Sequence, residues 1–252
     1  MIELKSRSDM DAIHENGRII CSLFDILENW LEEGMSTWDI NSFCEDYIIR
    51  HGGNPSCKGF EGYPAGTCIS VNEQVIHGIP SKSKIIRHGD IVSIDIVVDR
   101  KGNHFADSTR TFVIGTIPPR TAELVETTRR CLDAGIEAAS QKGARLRDIG
   151  KAVFDLANAH GFGVVRDYCG HGVGFSLHED PSVPNYVSHY TQNILLRPGL
   201  VLAIEPMINM GTHRINVMRD GWTVVTADRK PAAHFEHTIG VTENGVEILT
   251  VL

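Results

Sequence analysis

Residues 86–95 read IRHGDIVSID, and residues 196–205 read LRPGLVLAIE. The two segments lie 110 positions apart and place Arg, Gly and Ile at matching positions. Each apolar run ends on an acidic residue, Asp95 in the first segment and Glu205 in the second. An ionised acid in such an apolar run is costly to bury unless a cation pairs with it. The repeated segment therefore indicates both a duplicated architecture and a cation site.

A second pair of similar segments supports the repeat. Residues 34–52 and 143–161 both begin with Gly, carry Asp-Ile in the middle and end with His-Gly, at a spacing of 109 positions. Chance similarity between two helix–strand segments is the alternative explanation. Because internal repeats indicate architecture, we predict one domain over residues 1–252, built from two similar halves at roughly 1–115 and 116–252.

The periodicity of apolar residues predicts both helices and strands. Predicted helices cover residues 8–31, 36–51, 121–141 and 146–160. A Gly- and Pro-rich loop covers 54–67, and predicted strands cover 68–71, 91–98, 105–114, 200–205, 222–226, 235–241 and 246–251. This mixture predicts an α/β (α+β) fold.

The composition excludes several classes of partner. A net charge of −8 over 252 residues gives no basic surplus for nucleic acid or for an anionic membrane surface. No apolar run approaches the roughly 20 residues of a membrane helix, and the N-terminal segment lacks the apolar core of an export signal. The six cysteines form no C-x-x-C pair. We expect a cytoplasmic protein with reduced cysteines.

Four acids lie within predicted strands, namely Asp95, Asp107, Glu205 and Glu236. A tight hairpin would bring Asp95 and Asp107 side by side, where they repel each other unless a cation lies between them. The repeat further predicts that Glu205 is the counterpart of Asp95 and that Glu236 is the counterpart of Asp107. One such acid alone is more often exposed on a half-buried strand. Four at matched positions favour divalent cations with oxygen ligands.

Histidines supply the remaining candidate ligands. His171 lies in GHGVG, where glycines let the backbone approach a ligand closely. From spacing alone, His77 and His178 are as consistent with hydrogen-bonded structural residues as with functional ones. One His with four carboxylates does not suit structural zinc, but it suits a pair of bridged divalent ions. Because the first half has no counterpart of His171, we expect two unequal metal sites.

Nine short motifs together point to one known family. They are Gly62-Tyr63-Pro64, Cys68-Ile69-Ser70-Val71-Asn72-Glu73, His77-Gly78-Ile79-Pro80, Ser93-Ile94-Asp95, Ala106-Asp107-Ser108-Thr109, Gly170-His171-Gly172-Val173-Gly174, Ile204-Glu205-Pro206-Met207, Asp220-Gly221-Trp222-Thr223-Val224 and Glu236-His237-Thr238. In combination they resemble type I methionine aminopeptidases, over essentially the whole chain. Each motif alone would be weak.

The resemblance implies a pita-bread fold, an antiparallel sheet with helices on its outer face and an internal pseudo-two-fold. It implies a metal-dependent aminopeptidase that removes the initiator methionine from nascent proteins when the second residue is small. Two divalent ions (Co²⁺, Mn²⁺, Fe²⁺ or Zn²⁺) would be bound by Asp95, Asp107, His171, Glu205 and Glu236. Asp107 and Glu236 would bridge them, and a metal-bridging water or hydroxide would be the nucleophile.

The resemblance also assigns roles beyond metal binding. Glu205 would act as general base. His178 would hydrogen-bond the scissile carbonyl, and His77 would contact the peptide nitrogen. The methionine side chain would lie in an apolar pocket formed by Cys57, Phe60, Tyr63, Cys68, Leu177 and Trp222.

The chain departs from the family pattern in the central hairpin and the pocket. Asp95 and Asp107 are twelve positions apart, one more than is usual in the family, so we expect a changed turn or a β-bulge between them. Phe60 and Leu177 stand where Tyr and an aromatic residue are common, which changes the shape of the pocket. No N-terminal zinc-binding extension is expected.

Two other functions remain as alternatives. The first is an X-Pro peptidase of the same fold, although such enzymes usually carry an extra N-terminal domain. The second is a non-catalytic relative that binds peptides, which would be expected to have lost ligands. The expected partners are N-terminal Met peptides of nascent chains, with transient ribosome contact for which no motif is seen. We expect a monomer.

Overall fold

A computed structural model describes residues 2–190 and 192–252. Its α-helices are α1 (Arg7–Trp30), α2 (Thr37–Arg50), α3 (Pro119–Ala139) and α4 (Leu146–Ala159). Its strands are β1 (Asn54–Pro55), β2 (Cys68–Val71), β3 (Gln74–Ile76), β4 (Ile91–Arg100), β5 (Asn103–Val113), β6 (Gly163–Val164), β7 (Gly170–Gly172), β8 (Glu179–Val183), β9 (Val201–Ile204), β10 (Met207–Asn209), β11 (Ile215–Val217), β12 (Val224–Thr226), β13 (Ala232–His234), β14 (His237–Thr242) and β15 (Gly245–Ile248). Within these ranges, no helix is both long and apolar enough to cross a membrane.

The four predicted helices are confirmed, and their ends differ from prediction by at most two residues. The predicted strands at 200–205 and 235–241 are wrong in one important detail. Glu205 lies just after β9 and Glu236 lies just before β14, so both acids stand outside regular strands. Several strands of two or three residues were not predicted, because alternation over so few positions gives no periodic signal.

Helix α1 covers the outer face of the hairpin formed by β4 and β5. Ser6 caps the helix, since its Oγ accepts from the Asp9 N–H while Asp9 Oδ2 accepts from the Ser6 N–H. Ile13 on the buried face of α1 shares a hydrophobic core with Ile94 of β4. Because side chains alternate along a strand, Asp95 points to the opposite face. The helix thus leaves the inner face of the sheet free for polar side chains.

The sheets confirm the predicted α/β fold. Strand β4 pairs with β5 on one side and with β1 and β2 on the other. The second half orders its strands β15-β14-β9-β7-β8, so that β9 takes the central place that β4 has in the first half. Each strand pairing within the described residues is antiparallel.

Backbone hydrogen bonds recur at matching positions of the two repeated segments. An isolated antiparallel bridge joins Ser36 to Ile85, and a matching bridge joins Arg145 to Leu195. Four further bonds match in two pairs, Ile86 N–H to Met35 O with Leu196 N–H to Ala144 O, and Gly89 N–H to Ile114 O with Gly199 N–H to Val241 O. The two segments are therefore folded alike. The boundary of the halves near residue 115 stays a prediction.

The hairpin between Asp95 and Asp107 contains the predicted irregularity. Its tip is a two-residue turn in which Lys101 and Gly102 both have positive φ, of 62° and 75°. The pairing register shifts between Val98 and Arg100, and His104 on the facing strand has a φ of 58°. The extra residue forms a β-bulge near the tip. Strands β4 and β5 therefore pair without a shift at Asp95 and Asp107.

Hydroxyl side chains join the inner strands of the two halves. Thr238 Oγ1 donates to Asp107 O at 2.8 Å and accepts from the Asp107 N–H at 3.0 Å. Ser108 Oγ donates to Glu236 O at 2.7 Å. These bonds hold the backbones of Asp107 and Glu236 beside each other, although Asp107 lies on β5 and Glu236 lies in the break between β13 and β14.

We predict that Thr238→Val lowers the free energy of unfolding by about 1–3 kcal/mol, because it leaves the buried N–H and C=O of Asp107 unpaired. Urea unfolding with chelator present measures this change. Thr242→Val, at the half-buried end of the same strand, is the matched control and should cost less. Equal losses in the two variants would contradict a special role for the Thr238 bonds.

Candidate metal centre

Two neighbouring strands are interrupted at the same level, and an acid lies at each interruption. Ile204 pairs with His237 before the break and Met207 pairs with His234 after it, so the register places Glu205 opposite Glu236. Pro206, which follows Glu205, has no N–H to donate to the ladder. The interruption thus brings two buried carboxylates from facing strands together.

The backbone groups freed at this interruption find other partners. The Glu236 N–H donates to Thr109 O at 2.9 Å, and Asn185 Nδ2 donates to Glu205 O at 2.9 Å. Thr109 Oγ1 also donates to Glu236 Oε2 at 2.9 Å. The break is therefore a satisfied local structure that positions both acids.

Asp95 and Asp107 lie on one face of the central hairpin as diagonal neighbours. Asp95 is directly opposite Thr109, and Asp107 is directly opposite Val97. The predicted approach of the two acids is confirmed, and it occurs across a diagonal of the ladder instead of between directly opposite positions. On its other side Asp95 is opposite Cys68 of β2, so the thiol shares the inner face with the acid.

The strand register changes the predicted equivalence of the acids. With Glu205 as the counterpart of Asp95, the residue opposite each acid is Glu236 in the second half and Thr109 in the first. Two positions after the matched acids, Val97 is opposite Asp107 in the first half and Met207 is opposite His234 in the second. Asp107 therefore corresponds to His234. The prediction that Glu236 is the counterpart of Asp107 is therefore wrong.

His171 adds a nitrogen atom to the group of candidate ligand atoms. Its Nε2 lies 3.5 Å from Glu205 Oε1 and 3.7 Å from Asp107 Oδ2. Atoms of Asp107, His171 and Glu236 lie within 4.8 Å of one another, a spacing that can hold a metal ion. By register the place of His171 in the first half is taken by Ser70, so the predicted lack of a counterpart is confirmed.

The tautomer of His171 leaves a lone pair for a metal. His171 Nδ1 lies 2.8 Å from Gly172 O, and a carbonyl oxygen can only accept, so Nδ1 carries the proton. Burial lowers the pKa of His171 to about 3, so the ring is neutral and Nε2 is unprotonated. A ligating histidine usually has this arrangement, in which the second nitrogen donates to a carbonyl.

The four acid side chains lie in surroundings that destabilise their ionised form. Burial raises the pKa of Asp107, Glu205 and Glu236 well above the ordinary range, and the neighbouring carboxylates raise it further. Burial also raises the pKa of Asp95. One oxygen each of Asp95, Asp107 and Glu236 is buried and has no hydrogen-bond partner among the residues that the structure describes. Unpaired carboxylate oxygens facing a neutral imidazole nitrogen fit a divalent cation.

An apolar cavity of about 260 Å³ adjoins the acids. Asp95 and Asp107 form part of its wall, and the structure places all six predicted pocket residues on the rest of the lining: Cys57, Phe60, Tyr63, Cys68, Leu177 and Trp222. Tyr63 and Trp222 meet edge to face, with ring centroids 5.1 Å apart. The cavity can therefore hold a side chain that is apolar and moderately long.

His77 is held at this cavity by an unusual backbone. Its φ is 56°, in the left-handed region, and Gly78 packs so tightly on β2 that an added Cβ would lie 2.2 Å from Ile69 O. The Gly78 carbonyl accepts from Tyr63 Oη at 2.9 Å. Burial lowers the pKa of His77 to about 4, so the ring is neutral.

His178 lies at the open rim of the cavity. Its ring meets that of His171 with centroids 4.2 Å apart, and it meets Phe60 edge to face at 5.1 Å. The loop that carries it is anchored by a salt bridge between the buried Lys5 side chain and Glu179. The structure thus places His77 and His178 on the same cavity as the acids, while their roles stay predictions.

Four residues of the site were missed by sequence analysis: Glu61, Val97, Tyr168 and His234. Val97 could have been found, because it lies two positions after Asp95 and so shares its face of the strand. Tyr168 lies in a loop and Glu61 lies in a three-residue 3₁₀ helix, where no periodicity indicates direction. His234 carried a signal that was overlooked, since it lies two positions before Glu236.

The chain is similar to metallopeptidases along its whole length. Residues 11–243 match metallopeptidase family M24. A methionine aminopeptidase of Treponema pallidum is 42% identical over 99% of this chain and 96% of its own length. The crystal structure of methionine aminopeptidase from Thermotoga maritima has a TM-score of 0.95 at 40% identity, with complete coverage of both chains. A prolidase from Pyrococcus furiosus shares only the fold, at 22% identity and a TM-score of 0.77, and is covered over 65% of its length.

We predict that metal-free Glu236→Gln is more stable than the metal-free wild type, by on the order of 1 kcal/mol or more at about pH 8. The folded-state pKa of Glu236 is raised. The wild type therefore loses stability as pH rises above about 4, where the unfolded carboxyl releases its proton, and up to the raised pKa. Histidine titrations are common to both proteins and cancel in the difference.

Urea unfolding of chelated protein across this pH range measures the difference. Adding Mn²⁺ should reverse the order, because the ion stabilises the ionised cluster of the wild type. A wild type that is the more stable protein at every pH without metal would show that the acids do not repel one another.

Proposed function

This chain belongs to metallopeptidase family M24, and we propose that it removes N-terminal methionine from peptides and proteins by metal-dependent hydrolysis. The observation that carries the proposal is the direct contact between the acid cluster and an apolar cavity of about 260 Å³. The cluster supplies hydrolytic chemistry, and the cavity supplies a place for one apolar side chain. The X-Pro alternative has less support, because the similarity to a prolidase extends to the fold alone.

Five residues would hold two divalent ions: Asp95, Asp107, His171, Glu205 and Glu236. Asp107 and Glu236 would bridge the ions, since their backbones are held together by Ser108 and Thr238. Asp95 would complete one site, and His171 with Glu205 would complete the other, which makes the sites unequal. Bound divalent ions lower the pKa of a water molecule and polarise a carbonyl group. Co²⁺, Mn²⁺, Fe²⁺ and Zn²⁺ are the candidates, and cellular availability decides among them.

Glu205 would act as the general base. It is buried beside His171, and burial raises its pKa, which favours the acceptance of a proton. His178, at the rim beside His171, would donate to the carbonyl oxygen of the scissile bond. His77, across the same cavity, would contact the peptide nitrogen.

The pocket suits methionine by its chemistry as well as its size. A hydrogen bond with the neighbouring Cys68, together with burial, raises the pKa of the Cys57 thiol, and burial raises the pKa of Tyr63, so both groups are uncharged. A thioether gains dispersion and sulfur–aromatic contacts on such walls, of about 0.3–1.5 kcal/mol for each aromatic contact.

We predict that the metal-loaded protein releases Met from a Met-Ala-Ser peptide, and that chelation abolishes the activity until Co²⁺, Mn²⁺ or Fe²⁺ is restored. A panel of Met-X peptides should favour small second residues. Liquid chromatography of the products measures the rates. Cleavage of X-Pro peptides alone would show that the substrate is wrong, and rapid cleavage before Lys or Trp would contradict the small-residue preference.

We predict that Asp107→Ala and Glu236→Ala each abolish metal binding, as measured by calorimetric titration with Mn²⁺. The matched control is Asp99→Asn on the same hairpin, because Asp99 is equally buried but is hydrogen-bonded within the turn region by Ser56 and Gly102. This control should bind Mn²⁺ normally. Near-normal activity in either Ala variant would overturn the bridging assignment. The monomeric state, ribosome contact and cytoplasmic location stay predictions.

A further inference from the structure

His234 is a buried histidine beside the proposed general base. It ends β13, two positions before Glu236, and is 2% exposed. The Thr111 hydroxyl bonds to both backbone groups of His234. Its Oγ1 donates to His234 O at 2.7 Å and accepts from the His234 N–H at 3.0 Å. The ring is therefore carried by a rigid strand end rather than by a loop.

The two oxygens of Glu205 have different neighbours. Oε1 lies 3.5 Å from His171 Nε2, and Oε2 lies 3.6 Å from His234 Nε2. His171 Nδ1 donates to Gly172 O, so Nε2 is the ring nitrogen that faces Glu205 Oε1. On this side His171 also lies close to Asp107 and Glu236, whose atoms form the candidate ion-binding group. Under the proposed function, Oε1 is therefore the oxygen that would face the metal.

Oε2 then needs a different partner, and His234 can supply it. Its Nε2 is buried and has no hydrogen-bond partner within the described residues, and in the Nε2–H tautomer it can donate to Oε2. The separation of 3.6 Å is slightly long for a hydrogen bond. Hydrogen bonds of this kind are often long in unliganded sites and shorten when the site is assembled.

We propose that His234 is a positioning residue, which donates from Nε2 to Glu205 Oε2 and so directs Oε1 of the general base toward the metal. The proposal rests on the proposed function, in which Glu205 is both ligand and base. His234 itself is not a ligand in this arrangement. Its position in the second half corresponds by register to that of Asp107 in the first, so a neutral donor occupies the place of a bridging acid.

The test compares His234→Gln, which keeps a donor, with His234→Leu, which does not. His234→Leu should weaken Mn²⁺ affinity, measured by calorimetry, and lower kcat by about 10- to 100-fold, the usual effect of removing a partner of a metal ligand. The KM for a Met-Ala-Ser peptide should change little, because His234 does not line the cavity. His234→Gln should restore Mn²⁺ affinity and kcat to within about threefold of the wild type.

His237 provides the matched control. It is a neighbouring histidine whose Nδ1 lies 2.8 Å from Thr250 Oγ1, on the other face of the strand from Glu236. His237→Leu should leave Mn²⁺ affinity and kcat unchanged, even where the unfolding temperature falls. Equal losses in His234→Leu and His237→Leu, in step with their stability, would overturn the proposal and indicate structural roles.

Two further outcomes separate the inference from the function. If His234→Gln binds Mn²⁺ as weakly as His234→Leu, His234 is itself a ligand and the positioning role is wrong. If the wild type binds Mn²⁺ and the variants show the expected affinities but no protein releases Met, the proposed function fails while the contact to Glu205 is supported.

Discussion

The burial of several carboxylates at one place is the constraint on which this structure depends. Glu205 and Glu236 face each other across interrupted strands, and Asp107 is held beside them from the other half of the molecule. Ionised acids at this separation repel strongly where water is excluded. A fold that keeps them together stores unfavourable energy without a cation, and it gains binding energy for a divalent ion by the same arrangement.

The fold holds this arrangement by joining its two halves through side chains instead of a continuous ladder. Ser108, Thr109 and Thr111 on β5 bond to the backbone or side chains of residues 234–236, and Thr238 bonds back to Asp107. A hydroxyl group can both donate and accept. It therefore satisfies backbone N–H and C=O groups that have no partner in a strand ladder. The same bonds carry His234 to Glu205, which links the scaffold to the orientation of the proposed base.

Much of the site could be predicted from sequence because its acids lie at strand positions that repeat. Asp95 and Glu205 end matching apolar segments, and the extra residue between Asp95 and Asp107 predicted the β-bulge that the hairpin contains. The equivalence of Asp107 with Glu236 was wrong, because it was inferred from order along the chain. The register of the strands pairs Asp107 with His234 instead.

The sequence by itself determined the helices, the repeat and the residue types of the cluster, because these depend on local periodicity and on the cost of burying charge. Only the tertiary structure decided which acids face each other, which Glu205 oxygen faces His171, and that His234 lies beside the other. It also decided the positions of Glu61 and Tyr168 on the cavity wall. These features depend on contacts between residues far apart in the chain, and local patterns carry no information about such distances.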